Sequence, residues 1–219
     1  MSDTQQVSTT GQHGFHWPEQ NPPGANDLMT PTPDHGELSH QGHPRLTGLR
    51  ALITGGDSGI GRAVAIAFAR EGAAAVAISY LPAQQPDALE TAYLIRDAGA
   101  DAVLVPGDLT DPEVCKRVID TAVSHLGGLD ILINTADLHL TKGHSGTIQR
   151  LEPETVERVI RTDFEAVLGV VQAALPQLGR GSVIINTSSI QSYEPSPHLL
   201  YYPAIEAAIN NPTVNLAEP

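Results

Sequence analysis

The stretch LITGGDSGIGRA, residues 52–63, constrains this chain more than any other, because it joins two regular elements through a seam of glycines. Before it, LRALIT (49–54) is a short apolar run that ends at Gly55, as a buried strand would. After it, GRAVAIAFAREG (61–72) has helical spacing and stops at Gly72. Gly55, Gly59 and Gly61 let the backbone turn tightly and approach a pyrophosphate, while the helix start offers N–H groups and the positive end of its dipole. A glycine triplet alone is a weak sign, but here it has the strand before and the helix after that a dinucleotide loop requires. Thr54, Asp57, Ser58 and Ile60 share the loop and join the candidate site.

The alternation continues along the chain. AAVAISY (74–80), DAVLVPGD (101–108), LDILIN (129–134) and GSVIINTSS (181–189) read as four further strands. Between them lie a helix over 86–99, one opened by Asp111 as cap with Pro112 in its first turn, and a long amphipathic helix over 153–178. Apolar strands separated by helices imply a parallel sheet covered on both faces, an α/β, doubly wound, Rossmann-like class. Residues 1–46 differ: they are rich in Pro, Gly, His and Asn and show no apolar period. They read as a tail, disordered or draped, ahead of a dinucleotide-binding domain over 47–219. His13, His16, His35, His40 and His43 are irregularly spaced and have no partner cysteine, so the tail is read as solvated and no metal is expected.

Charge and cysteine content narrow the partners. A net charge of −13 leaves nothing to neutralise a run of phosphates or to dock on an anionic bilayer, so neither nucleic acid nor membrane is expected. The single cysteine, Cys115, cannot close an internal disulfide, which suits a reducing cytoplasm. No long apolar window and no signal-peptide pattern occur, so a soluble cytoplasmic protein is expected.

With these motifs in hand, the chain from about Leu46 onward resembles the short-chain dehydrogenase/reductase family. TGGDSGIG (54–61) is similar to its cofactor loop, and GDLTD (107–111) to its adenine-side segment, which implies that Asp108, with Leu109 beside it, meets the adenine. NTA (134–136) stands where the family has NNA: Asn134 and Ala136 carry over, and Thr135 departs. INTSS (185–189) resembles the strand bearing the catalytic serine, and PTPDHGELSHQG resembles the extension of a stress-associated subgroup. The second strand ends in Ser79 and Tyr80 with no carboxylate to hold ribose hydroxyls, which favours NADP, with NAD as the alternative. No arginine adjoins that end in sequence.

The resemblance implies a catalytic asparagine, serine, tyrosine and lysine. Ser189 and Tyr202, thirteen residues apart, match the serine and tyrosine. Without the other motifs they would read as a strand-end serine and a half-buried aromatic. Asp163 stands at the asparagine position and Glu206 at the lysine position. A carboxylate beside a phenol disfavours phenolate, the opposite of what an ammonium does. Lys142 could substitute only by folding over the site. Asp163 falls on an apolar stripe, where it needs a backbone partner at a helix irregularity, or Glu206 across a shared proton, water or cation.

Tyr202 is expected to open a helix that Pro212 interrupts. The family continues for two more strands and helices, so the chain reads as C-terminally truncated, with its fifth strand an apolar edge. The expected function is NAD(P)-dependent oxidoreduction of a small aldehyde, ketone or alcohol by a homo-oligomer. The alternative is a catalytically impaired dinucleotide binder or oligomer scaffold.

Overall fold

A computed structural model describes residues 28–136, 152–196 and 199–217. Strands β1 (Arg50–Thr54), β2 (Ala75–Tyr80), β3 (Asp101–Pro106), β4 (Leu129–Asn134) and β5 (Leu178–Asn186) form one parallel sheet in the order β3-β2-β1-β4-β5. The helices are α1 (Gly59–Arg70), α2 (Gln85–Asp97), α3 (Pro112–Leu126), α4 (Pro153–Val159), α5 (Ala166–Ala174) and α6 (Tyr202–Ala217).

The central strand explains the architecture. Successive side chains of a strand point to opposite faces, so a run of apolar residues must be covered on both. Ala51 and Ile53 of β1 pack with Ala65, Ala69, Ile78 and Ile95 on the face of α1 and α2. Leu52 packs with Val118, Ile119, Leu132 and Val170 on the face of α3 and α5. The doubly wound class is therefore present, with a core on each side of the sheet.

Strand order reverses at β1, since β2 and β3 lie on one side and β4 and β5 on the other. In such sheets ligands lie outside the carboxyl ends of the strands, at the reversal. Here the register puts Ser79, Thr54, Asn134 and Asn186 in one row across those ends.

Three expectations need correction. The helix over 153–178 is not continuous: α4 passes into a π turn (Ile160–Glu165), then α5, then a 3-10 turn (Leu175–Gln177) that contains Pro176. Proline lacks the N–H and crowds the preceding turn, which ends the α-helix there. β5 accordingly starts at Leu178 and ends at Asn186, leaving Thr187, Ser188 and Ser189 beyond the strand. Finally, α6 runs through Pro212. Buried Ile205 and Ile209 hold the helix before the proline. Beyond it, Thr213 donates through Oγ1 to the Ile209 carbonyl at 2.7 Å and accepts from Asn186 Nδ2 at 2.9 Å.

Other local readings hold. Asp111 caps α3 by accepting from the Glu113 amide at 2.9 Å, and Gly127 ends it in the left-handed region at φ 73°. β5 is an edge strand among the described residues, with Val183 and Ile185 47% and 48% exposed. The described part of the N-terminal segment is draped on the end of α1. Glu71 accepts from the His43 amide at 3.1 Å and from Arg45, and His40 Nε2 lies 3.2 Å from its carboxylate. Arg70 donates to the carbonyls of His40 and Glu37. No helix among the described residues is long and apolar enough to cross a membrane.

Candidate dinucleotide cleft and active site

The glycine loop leaves β1 at Thr54 and enters α1 at Gly59, where φ is +51°, a conformation that side chains with Cβ rarely adopt. A Cβ on Gly61 would collide with the carbonyl of Gly55, so the turn closes only around glycine. The Gly56 amide donates to the Ser79 carbonyl at 3.2 Å, binding the loop to the end of β2. Thr54 Oγ1 accepts from the amides of Thr135 at 3.1 Å and Ala136 at 3.2 Å, and Thr135 Oγ1 donates to the Thr54 carbonyl. Thr135, a departure from the family pattern, thus clamps β1 to β4. A threonine just past a strand end, able to donate to a neighbouring carbonyl, was the signal that could have marked it.

Around this loop several buried polar atoms have no partner among the described residues: Asp57 Oδ2, Ser79 Oγ and Arg62 Nε. Buried polar groups are normally satisfied, and those left over mark where a water or ligand completes them. Burial pushes the Asp57 carboxyl above its usual range. The Arg62 charge acts on it in the opposite sense. Arg62 itself is buried and pairs with Glu90 of α2 at 3.0 Å. The cation of this corner therefore comes from α1, not from the end of β2 where sequence adjacency would look for it. Tyr80 donates to Gln85 Oε1 at 2.6 Å, and Thr91 donates to the Asp57 carbonyl at 2.9 Å. Asp108 turns the chain after β3 by accepting from the Thr110 amide at 3.0 Å and hydroxyl at 2.7 Å. The Leu109 carbonyl accepts from Cys115. Ser58 makes no side-chain cap and Ile60 is exposed. A dinucleotide fits this cleft: the turn excludes a side chain where backbone must pass closely, and the orphaned atoms are polar.

On the other side of the row, a cavity of about 30 Å3 is lined by Asn134, Asp163, Ser188, Tyr202, Glu206 and Ile209, among others. Asp163, 2% exposed, reaches it from the π turn, and Glu206, 4% exposed, from the first turns of α6. The structure therefore brings Asn134, Asp163, Tyr202 and Glu206 together. Ser188, not Ser189, lines the cavity and donates to the Glu206 carbonyl at 3.2 Å. Ser189 accepts from the Gln191 amide at 3.2 Å, capping the 3-10 turn Ile190–Ser192. Lys142, His13 and His16 lie outside the described residues.

A glycine-loop cleft at the reversal of a parallel sheet is the arrangement of the dinucleotide-binding class of α/β proteins, and here a tyrosine cavity lies beside it. The family model described as short chain dehydrogenase matches residues 50–219, and the chain belongs to that family of oxidoreductases. It is 47% identical over 212 residues to the uncharacterized oxidoreductase YhxD of Bacillus subtilis, covering 93% of this chain and 68% of that protein. It is 39% identical over 196 residues to general stress protein 39 of Bacillus subtilis, covering 90% of this chain and 67% of that one. Among solved structures, it matches a short chain dehydrogenase from Burkholderia cenocepacia in complex with NADP. That match has TM-score 0.71 and 33% identity over 79% of this chain and 69% of that one.

Proposed function

We propose that the chain binds a nicotinamide dinucleotide, NADP in preference to NAD, across the carboxyl ends of β2, β1 and β4. We further propose that it serves oxidoreduction of a small aldehyde, ketone or alcohol. The observation that carries this reading is the loop itself: Gly61 packed against the Gly55 carbonyl, with buried, unsatisfied Asp57 Oδ2 and Ser79 Oγ beside it. When bound, the dinucleotide supplies or accepts the hydride. Ser79 and Tyr80 present no carboxylate to a ribose 2′-phosphate, and the Arg62 charge stands in the same corner. Asp108 and Leu109 would flank the adenine. Tyr202 would hold the proton at the substrate oxygen. Ser189, whose hydroxyl accepts from the Gln191 amide and which lies one residue beyond the cavity-lining Ser188, would orient that oxygen. We place the protein in the cytoplasm as a homo-oligomer.

Thermal unfolding with and without NADPH and NADH tests the reading. At about a hundred times its dissociation constant a ligand adds roughly 2.7 kcal/mol to the folded state. A transition unmoved by either nucleotide would refute it. The position of Glu206 favours a second reading, a dinucleotide binder without turnover, because a carboxylate in the tyrosine cavity works against phenolate. Nucleotide stabilisation with no oxidation or reduction across an aldehyde and alcohol panel would select that one.

A further inference from the structure

We infer that the cavity between β4, the π turn and α6 is a binding site for a hard divalent cation, Mg2+ in the first instance. Its protein ligands are the carboxylates of Asp163 and Glu206 and the amide oxygen of Asn134. Two buried carboxylates share this small space. Two like charges lining one small, poorly solvated cavity are costly to keep ionised together, and a positive charge or a shared proton relieves that cost.

Asn134 supplies the independent observation. It is 3% exposed, lines the same cavity, and its Oδ1 has no partner among the described residues. That orientation is dictated by its neighbours rather than by the choice of which amide atom is which. The Thr213 hydroxyl spends its one hydrogen on the Ile209 carbonyl at 2.7 Å, so toward Asn186 it can only accept. Asn186 therefore presents Nδ2 to it, at 2.9 Å, and turns Oδ1 to Asn134, whose Nδ2 donates at 2.8 Å. The oxygen of Asn134 is the end left for the cavity.

Donor chemistry and size choose the cation. All three groups offer oxygen, which suits Mg2+, Mn2+ or Ca2+ rather than zinc. The described residues contain no cluster of three His, Cys, Asp or Glu side chains suited to a metal, and the third oxygen at this cavity is that of the Asn134 amide. A cavity of about 30 Å3 has room for an ion with a water. Two carboxylates match a charge of +2. The π turn is the device that brings Asp163 to the cavity, and such turns are frequent at functional sites. The inference rests on the proposed function for its consequence: a cation beside Tyr202 favours phenolate, reversing the effect of a bare Glu206.

The test strips the full chain with chelator and titrates it with Mn2+, followed by electron paramagnetic resonance and thermal unfolding, with NADPH stabilisation measured in parallel. The expected result is one saturable Mn2+ per chain, displaced by Mg2+ and weakened at least about tenfold in Asp163→Asn and Glu206→Gln. Both variants keep side-chain shape, and circular dichroism confirms their folding. If either fails to fold, Mn2+ binding by the unaltered chain, with displacement by Mg2+, still decides the matter. No saturable signal up to about 10 mM Mn2+ on the folded chain overturns the cation, leaving a shared proton between the carboxyls. Retained NADPH stabilisation without Mn2+ binding overturns the cation alone. Mn2+ binding without NADPH stabilisation overturns the proposed function alone.

Discussion

Arg45 grips Glu71 with two parallel hydrogen bonds, Nε to Oε2 at 2.9 Å and a terminal nitrogen to Oε1 at 2.7 Å. This fork joins the segment that leads into β1 to the end of α1. Together with the bond from the Leu46 amide to the Glu71 carbonyl at 2.8 Å, it sets where the chain enters the sheet. The Arg45 bonds, aided by the His43 amide, hold the Glu71 carboxyl down at about 2 against an ordinary 4.5. A depressed carboxylate contributes stability that is complete above about 4.5 and is lost as pH falls toward about 2. Glu71→Gln should therefore lower the melting temperature at pH 7 and flatten its decline through that window. Melting curves of both proteins from pH 7 down check this, and parallel acid limbs would contradict it.

Gly61→Ala should abolish nucleotide binding, because the added Cβ meets the Gly55 carbonyl and displaces the turn. The roughly 2.7 kcal/mol of stabilisation expected from near-saturating NADPH would disappear. Differential scanning calorimetry of the variant, with and without NADPH, reads this directly.

Cys115 is buried and donates to the Leu109 carbonyl at 3.1 Å. Burial, with the Asp111 charge behind it, pushes its thiol up to about 11. Thiolate is the reactive form, so native protein at pH 8 should resist alkylation, and denatured protein should react at once. Mass spectrometry after iodoacetamide, with and without guanidinium, distinguishes the two. Fast labelling of the native chain would mean that α3 opens readily from the sheet.

Glu206→Lys puts an ammonium in the tyrosine cavity. In chelator-stripped protein, where Glu206 carries no cation, carbonyl reduction at pH 7 should rise by at least about tenfold over the unaltered chain, and adding Tyr202→Phe to that variant should remove about a hundredfold or more. Steady-state rates with NADPH and an aldehyde panel measure both. A revertant no faster than its parent would place the defect in substrate positioning rather than in the charge.

Much of this arrangement was legible from local sequence. The glycine loop could be read because a strand, a positive-φ turn and a helix start each leave local marks: Gly59 holds a φ that side chains with Cβ rarely adopt, and a Cβ on Gly61 would collide with the Gly55 carbonyl. The α3 cap at Asp111 and the alternation of strands were legible for the same reason. At Ile160–Glu165 the out-of-place Asp163 marked an irregularity, but not that it is a π turn, because the apolar spacing around it mimics an ordinary helix. Nor was the passage of α6 through Pro212 legible, because it depends on Thr213 and Asn186 meeting across 27 residues.

Periodicity and backbone permission, both properties of neighbours in sequence, thus sufficed for the doubly wound class and the place of the glycine turn. The company kept by each polar group did not follow from them. Thr135 as a clamp on Thr54, Arg62 as the cation near Asp57, and Asn134, Asp163 and Glu206 around one cavity all join residues from separate elements. Hydrogen bonds and charges act over a few ångströms, and only the folded sheet brings those residues within that range.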